Sequence, residues 1–333
     1  AILNNSRNQV QTQQGGWVAG NPWLAKGEAK IILNEVNSRD PSKLNGYIEV
    51  AGKKAQVVIA NPSGITCDGC GFINANRATL TTGKAMMENG QLKGYQVEKG
   101  NIRVQGAGMD SSRQDYTDLI AQTVEINAGL WANDLKVTAG RNTVDAEQQN
   151  IEKAATASAS TERAEPKLAV DVAQLGGMYA GKIQLIGTEQ GVGVRNAGAI
   201  GAQAGSVMLS ADGRIENSGS INASQDIQLA GRELDNSGKV YAQRDVGVST
   251  QQQTANRGVL AAQRNATVQA ANISNQKGAV LGAGINSDGS VAQTGNLSLT
   301  ASQRADTNGQ QLAGGSMTVA AAEVNTDGGQ TQA

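Results

Sequence analysis

The chain has 333 residues with 42 Gly, 4 Pro, 3% aromatic and 17% charged residues, a formal net charge of −1 and no histidine. So few large apolar side chains cannot fill a thick globular core, so the interior is expected to be thin and built in small layers. Balanced charge without Lys/Arg runs gives no general attraction to nucleic acid or anionic membrane, and the missing histidines exclude His-based triads, Cys-His pairs and H-E-x-x-H zinc sites.

From the first residue onward, "AILNNSRNQV" lacks the basic and apolar parts of a secretory signal, and no later stretch approaches the roughly 18 apolar residues of a membrane helix. Short alternating segments predict strands at "AKIILNEV", "GYIEVAG", "AQVVIAN", "NIRVQGAG", "QTVEINAGLWA" and "DLKVTAG", at irregular spacing. All the prolines and all the aromatics except Tyr241 lie before residue 180. This half is therefore expected to be a coil decorated with extra strands and loops. Residues 145–167, poor in large apolar side chains and containing Pro166, read as an exposed insertion, with a frayed helix as one form of it.

The C-terminal half is repetitive. Asn196, Asn217, Asn236, Asn256 and Asn275 recur at intervals of 21, 19, 20 and 19 residues, each followed by an apolar residue and then Ala or Gly. Alternating segments such as "SVMLS", "DIQLA", "DVGVS" and "ATVQA" follow most of these turns, and a further copy comes after an insertion around "INSDGSVAQTGN". A unit of this size cannot bury its own inner face, whereas stacked units can pair in parallel at about 4.8 Å and bury one small side chain per layer position. The expected fold is all-β, a parallel β-helix, with Asn and Gly taking positive φ in the turns and aligned asparagines forming a ladder. Regular apolar offsets argue against disorder as the alternative.

Cys67 and Cys70 are the only cysteines. With no histidine they lack partners for the usual four-ligand zinc site, leaving only a carboxylate-completed one. A thioredoxin-like site needs a helix start after the strand, and both flanks here are strand-like. The remaining reading is a local disulfide fixing a tight turn, as an oxidising compartment allows. "GGMYAGKI" nearly matches a phosphate-binding loop, but Ile183 replaces the metal-binding hydroxyl and a strand follows. Carboxylates such as Asp115 and Asp118 leave a β-helical polysaccharide-processing enzyme open, although the repeats offer only Tyr241 as an aromatic platform. No cofactor, metal, nucleic acid or small-molecule substrate is expected.

Five ordered blocks, "ILNNSRNQVQTQQGGWVAGNPWLAKGEAKIILNEV", "GYIEVAGKKAQVVIANPSGITCDGCGFIN", "RATLTTGK", "GAGMDSSRQDYTDLIAQTVEINAGLWA" and "LGGMYAGKIQLIGTEQGVGV", resemble the two-partner secretion domain of large bacterial exoproteins. That family includes filamentous haemagglutinins and contact-dependent growth inhibition toxins, and the later repeats are similar to haemagglutinin repeats. The resemblance implies a right-handed parallel β-helix with extra-helical strands in the N-terminal half. It implies a secretion domain over residues 1–190, truncated at its start, and haemagglutinin-type repeats over 191–333. It implies recognition in the periplasm by an outer-membrane transporter through periplasmic modules, then delivery to the cell surface or medium. The family's two turn motifs map to Asn21-Pro22-Trp23-Leu24 and Asn61-Pro62-Ser63-Gly64-Ile65, with Trp23 and Ser63 in place of the family's third residue. These turns are expected to serve transporter recognition or structure. An adhesin surface that binds host or neighbouring cells is the alternative function.

Overall fold

The computed structural model describes residues 1–154 and 167–333. Among them there are strands and turns and no helix. The chain divides into two compact units, one of Ala1–Ala169 with Leu175–Ala180 and one of Val170–Gln174 with Gly181–Ala333. Both are built from parallel strands, and the architecture is a parallel β-helix.

In the first unit, Ile31–Glu35, Gln56–Ala60, Arg77–Thr81, Tyr116–Ala121 and Asp134–Ala139 pair in parallel, one coil after another. Alternation sends Ile59, Leu80, Leu119 and Val137 inward as one stacked column. Each buried aliphatic side chain of this kind contributes about 1.5–3 kcal/mol. The strand Ile65–Ile73 turns a corner of the coil, pairing first with Ser42–Leu44 and then with Tyr47–Gly52.

Two decorations lie outside the coils. A hairpin joins Val10–Thr12 to Gly16–Val18, and both oxygens of the buried Glu49 carboxylate accept its loop N–H groups, from Gln13 at 2.7 Å and Gln14 at 2.9 Å. A four-stranded antiparallel sheet comprises Lys84–Glu88, Gln91–Val97, Asn142–Asp145 and Ile151–Lys153. Its Tyr95, Val97 and Val144 cover the outward face of the coil strands at Val58 and Ile120. The first turn of this sheet is Asn89-Gly90, with both residues at positive φ (51° and 74°), the geometry a two-residue type I′ hairpin demands. Residues 151–153 of the expected insertion are thus a strand; its residues 155–166 lie outside those described.

In the second unit each coil contributes three strands. Val194, Ile215, Leu234, Thr254 and Ile273 form one inward column, Ile200, Ile221, Val240, Leu260 and Leu281 another, and Val207, Ile227, Val246, Ala266 and Leu297 a third. The five repeated asparagines stack as expected. Asn196 Nδ2 donates to Asn217 Oδ1 (2.9 Å), Asn217 to Asn236 (2.8 Å), Asn236 to Asn256 (2.9 Å) and Asn256 to Asn275 (3.0 Å).

The turns differ from expectation in one respect. None of these asparagines, nor the glycines that follow the first four at 198, 219, 238 and 258, has positive φ, whereas Gly278, after the fifth, has φ 86°. Glycine is needed there because a Cβ on Gly219, Gly238 or Gly258 would strike the carbonyl oxygen of the glycine one coil earlier. At these three positions close stacking of the turns, and not left-handed backbone, selects the residue, while at Gly278 the positive φ does. The insertion after Ala283 folds on itself through an antiparallel bridge, Ile285 to Val291, and Tyr241 donates to the Ile285 carbonyl at 2.7 Å.

Candidate functional site

Both Asn-Pro sequences fold into the same turn. Asn21 Oδ1 accepts the Trp23 N–H at 3.0 Å, and the Asn21 carbonyl accepts the Leu24 N–H at 3.4 Å. Likewise Asn61 Oδ1 accepts the Ser63 N–H at 2.9 Å, and the Asn61 carbonyl accepts the Gly64 N–H at 3.1 Å. Asn supplies the side-chain acceptor two residues ahead and proline presets the next φ. The third residue contributes only its main-chain N–H to the turn, so Trp23 and Ser63 preserve it.

The turns differ in their surroundings. Asn61 is fully buried; its Nδ2 donates to the Asp40 carbonyl and to Ser42 Oγ, both at 2.9 Å. Gly64 has φ 116°, and Ile65, which begins the corner strand, is buried. The first turn lies at the surface. Asn21 donates from Nδ2 to the Asn4 carbonyl and from its main chain to Ser6, Pro22 is exposed, Leu24 is half-buried and Trp23 is 90% exposed.

Directly after the Asn61 turn, Cys67 and Cys70 form a disulfide, with Cα atoms 5.4 Å apart. Both are buried, and the pair brackets Gly69, at φ 69°, where the strand Ile65–Ile73 bends around the corner. The neighbouring strand Asn101–Asp110 slips its register at the same place, and the Asp68 carboxylate reaches across to accept the Ala107 N–H at 3.0 Å. The cysteines therefore sit inside a bulged corner within one strand. Closing so short a loop restricts the unfolded chain by about 2 kcal/mol. Cys67→Ala with Cys70→Ala is expected to lower the unfolding free energy by about that amount in urea titrations without loss of the fold.

Outside this corner the Tyr47 hydroxyl donates to Asp110 Oδ2 at 2.9 Å, and Ser112 donates to Asp110 Oδ1 from its hydroxyl and its N–H. The bond to Asp110 pushes the Tyr47 phenol up. Partial burial raises the Asp110 carboxyl, but the Ser112 and Tyr47 bonds outweigh it and hold that group below the usual aspartate range.

Sequence reasoning missed four other corner asparagines and glutamines. Asn5 Nδ2 donates to the Ala29 and Lys53 carbonyls, Asn74 to Val50 and Gly52, Asn133 to Ser112 and Gln114, and Gln114 Nε2 to Phe72 and Ala75. Each ties together main-chain segments that the corner leaves without ladder partners. Their irregular spacing carries no periodic signal. The near-match to a phosphate-binding loop resolves into two strands, Gly177–Ala180 and Lys182–Gly187.

The sequence family described as TPS secretion domain matches residues 1–217, and the one described as haemagglutinin repeat matches 202–247, 220–301 and 282–333. A protein named Toxin CdiA from Yersinia pestis is 54% identical over 351 residues, covering 99% of this chain and 10% of that protein. The tRNA nuclease CdiA-2 of Burkholderia pseudomallei (strain 1026b) is 49% identical over 225 residues, 67% of this chain and 7% of its own length. The chain thus spans a tenth or less of these relatives. In fold it resembles a crystal structure of the filamentous hemagglutinin secretion domain, with a TM-score of 0.57 at 23% identity over 99% of this chain and 83% of that one. With the Asn-Pro turns and the cysteine corner inside the matched residues, the chain belongs to the TPS secretion domain family and continues into haemagglutinin repeats.

Proposed function

We propose that residues 1–190 direct export by binding an outer-membrane transporter, and that residues 191–333 begin the stalk of a larger surface or secreted exoprotein. The observation that carries this reading is the TPS match over residues 1–217, which implies an outer-membrane transporter as partner and a route through the periplasm. Binding uses extended segments of residues 1–65 that add strands to the transporter's periplasmic modules, as in β-augmentation. The exposed Asn21-Pro22-Trp23-Leu24 turn presents Trp23 to that partner, whereas the buried Asn61-Pro62-Ser63-Gly64-Ile65 turn and the Cys67–Cys70 clip act by shaping the coil. On this reading the region acts by binding and folding.

Binding of the chain to the isolated periplasmic modules of its cognate transporter tests this. Trp23→Ala is expected to weaken binding about tenfold, the scale of an exposed aromatic anchor, with no change in unfolding. Strand-blocking Leu33→Pro is expected to abolish it. Unchanged binding in both variants would sink the reading.

A further inference from the structure

One face of the first unit carries aromatic rings packed close to glycines of the main chain. Tyr47, Gly71, Asp110, Trp131 and Tyr179 occupy the same outward register position on successive strands. The inward neighbours Ile48, Phe72, Met109, Leu130 and Met178 are buried core. Each ring covers a glycine. A Cβ on Gly71 would strike the Tyr47 ring, one on Gly129 would lie 2.5 Å from the Trp131 ring, and one on Gly177 would lie 2.5 Å from the Tyr179 hydroxyl. Trp131 also extends over Gly108.

These glycines leave room for each ring to approach the main chain, and part of each ring remains in solvent. Trp131 is 44% exposed and Tyr47 and Tyr179 are half-buried. The Trp131 and Tyr179 centroids are 6.3 Å apart with planes 22° from parallel, so the two rings are near-parallel neighbours along the row. The Asp110 carboxylate stands in the same row between Tyr47 and Trp131.

The chemistry of this row selects its ligand. The outer π-face of a flat aromatic ring is electron-rich and attracts the C–H face of a pyranose, and a carboxylate accepts sugar hydroxyls. Four strand spacings from Tyr47 to Tyr179 cover about 19 Å, room for several linked pyranose rings. Nucleobases stack on aromatics too, but their phosphates would meet Asp110 on a chain of net charge −1.

We propose that the Tyr47–Asp110–Trp131–Tyr179 row is a binding strip for a neutral β-linked oligosaccharide. This goes beyond the export role and does not depend on it. The test titrates cellohexaose and chitohexaose into the full chain carrying Trp17→Phe and Trp23→Phe, which leaves Trp131 as the sole indole. Saturable quenching of its emission is the expected result. Trp131→Ala, followed by calorimetry, is expected to weaken binding at least about tenfold.

The decisive variant is Gly129→Ala with Gly177→Ala. It keeps every aromatic and introduces side chains at strand positions without positive φ, yet displaces both rings from the main chain. Thermal unfolding is expected to be unchanged or raised while affinity falls by at least about tenfold, a split that a purely structural role for the rings would not produce. The proposal is overturned by absence of quenching at millimolar concentrations of both sugars, or by binding that survives the glycine pair and Trp131→Ala. It is also overturned if a single-stranded oligonucleotide or a proline-rich peptide binds more tightly than either sugar.

Discussion

Asp118→Ala is expected to lower the unfolding free energy of the first unit by about 3–5 kcal/mol, the cost of leaving a buried charge without its partner. Asp118 Oδ2 accepts from Arg77 Nε at 2.6 Å and from Thr79 Oγ1 at 2.8 Å, and Oδ1 from Arg77 Nη2 at 3.1 Å. The Asp118 side chain is 2% exposed and that of Arg77 17%, so water cannot replace the lost carboxylate. The guanidinium also sits 5.3 Å from the Tyr116 ring centroid, which fixes its position without neutralising it. Removing both charges should cost far less, so Arg77→Met with Asp118→Leu is expected to recover most of the loss. Urea unfolding of the single and double variants decides the matter: a loss below about 1 kcal/mol for Asp118→Ala would place the pair with ordinary exposed salt bridges.

Breaking the asparagine ladder in its middle is the second large effect. Asn236 is fully buried, accepts from Asn217, and donates to Asn256 Oδ1 and, at 2.9 Å, to the Val259 carbonyl. Asn236→Ala leaves polar atoms in both neighbouring coils short of partners, at a cost of about 2–4 kcal/mol. Asn196 provides the comparison. Its Oδ1 already has no partner, because the preceding coil places Val172 beneath it, where Ala197 N–H meets the Val172 carbonyl. Asn196→Ala should therefore cost about half as much. Chemical unfolding of the two variants side by side measures the difference, and equal losses would mean that the ladder adds nothing beyond each residue's own turn.

The ladder was legible because its five asparagines share one spacing. A second stack, with members 19 or 20 residues apart except for 31 across the insertion, has the same legible spacing. Ser206, Asp226, Asp245, Asn265, Asn296 and Ser316 each immediately precede a third strand of a coil, and each side-chain oxygen before Ser316 accepts the next member's N–H at 3.0–3.1 Å. Alternating polar identities hid it, although any short side-chain acceptor meets the same geometric need. The Asn89-Gly90 hairpin was a stronger local signal still, and it marks the start of the sheet that covers Val58 and Ile120. Of the two carboxylates noted in the sequence, Asp118 is buried against Arg77 and Thr79, whereas Asp115 is exposed.

By itself the amino-acid sequence determined the coil: its composition allowed only thin layers, its period set the stacking, and its ordered blocks identified the family. Local chemistry determined the Asn-Pro turns as well, because an asparagine side chain and a proline ring act within four residues. Only the tertiary structure decided that one of these identical turns is buried at Asn61 while the other raises Trp23 into solvent. It also decided that Tyr47, Trp131 and Tyr179 fall in one row against glycines. Exposure and ring orientation depend on which glycine, hairpin or sheet is brought against a residue from a distant part of the chain. No spacing along the sequence encodes that contact, since the register between coils is set by the packing of the whole stack.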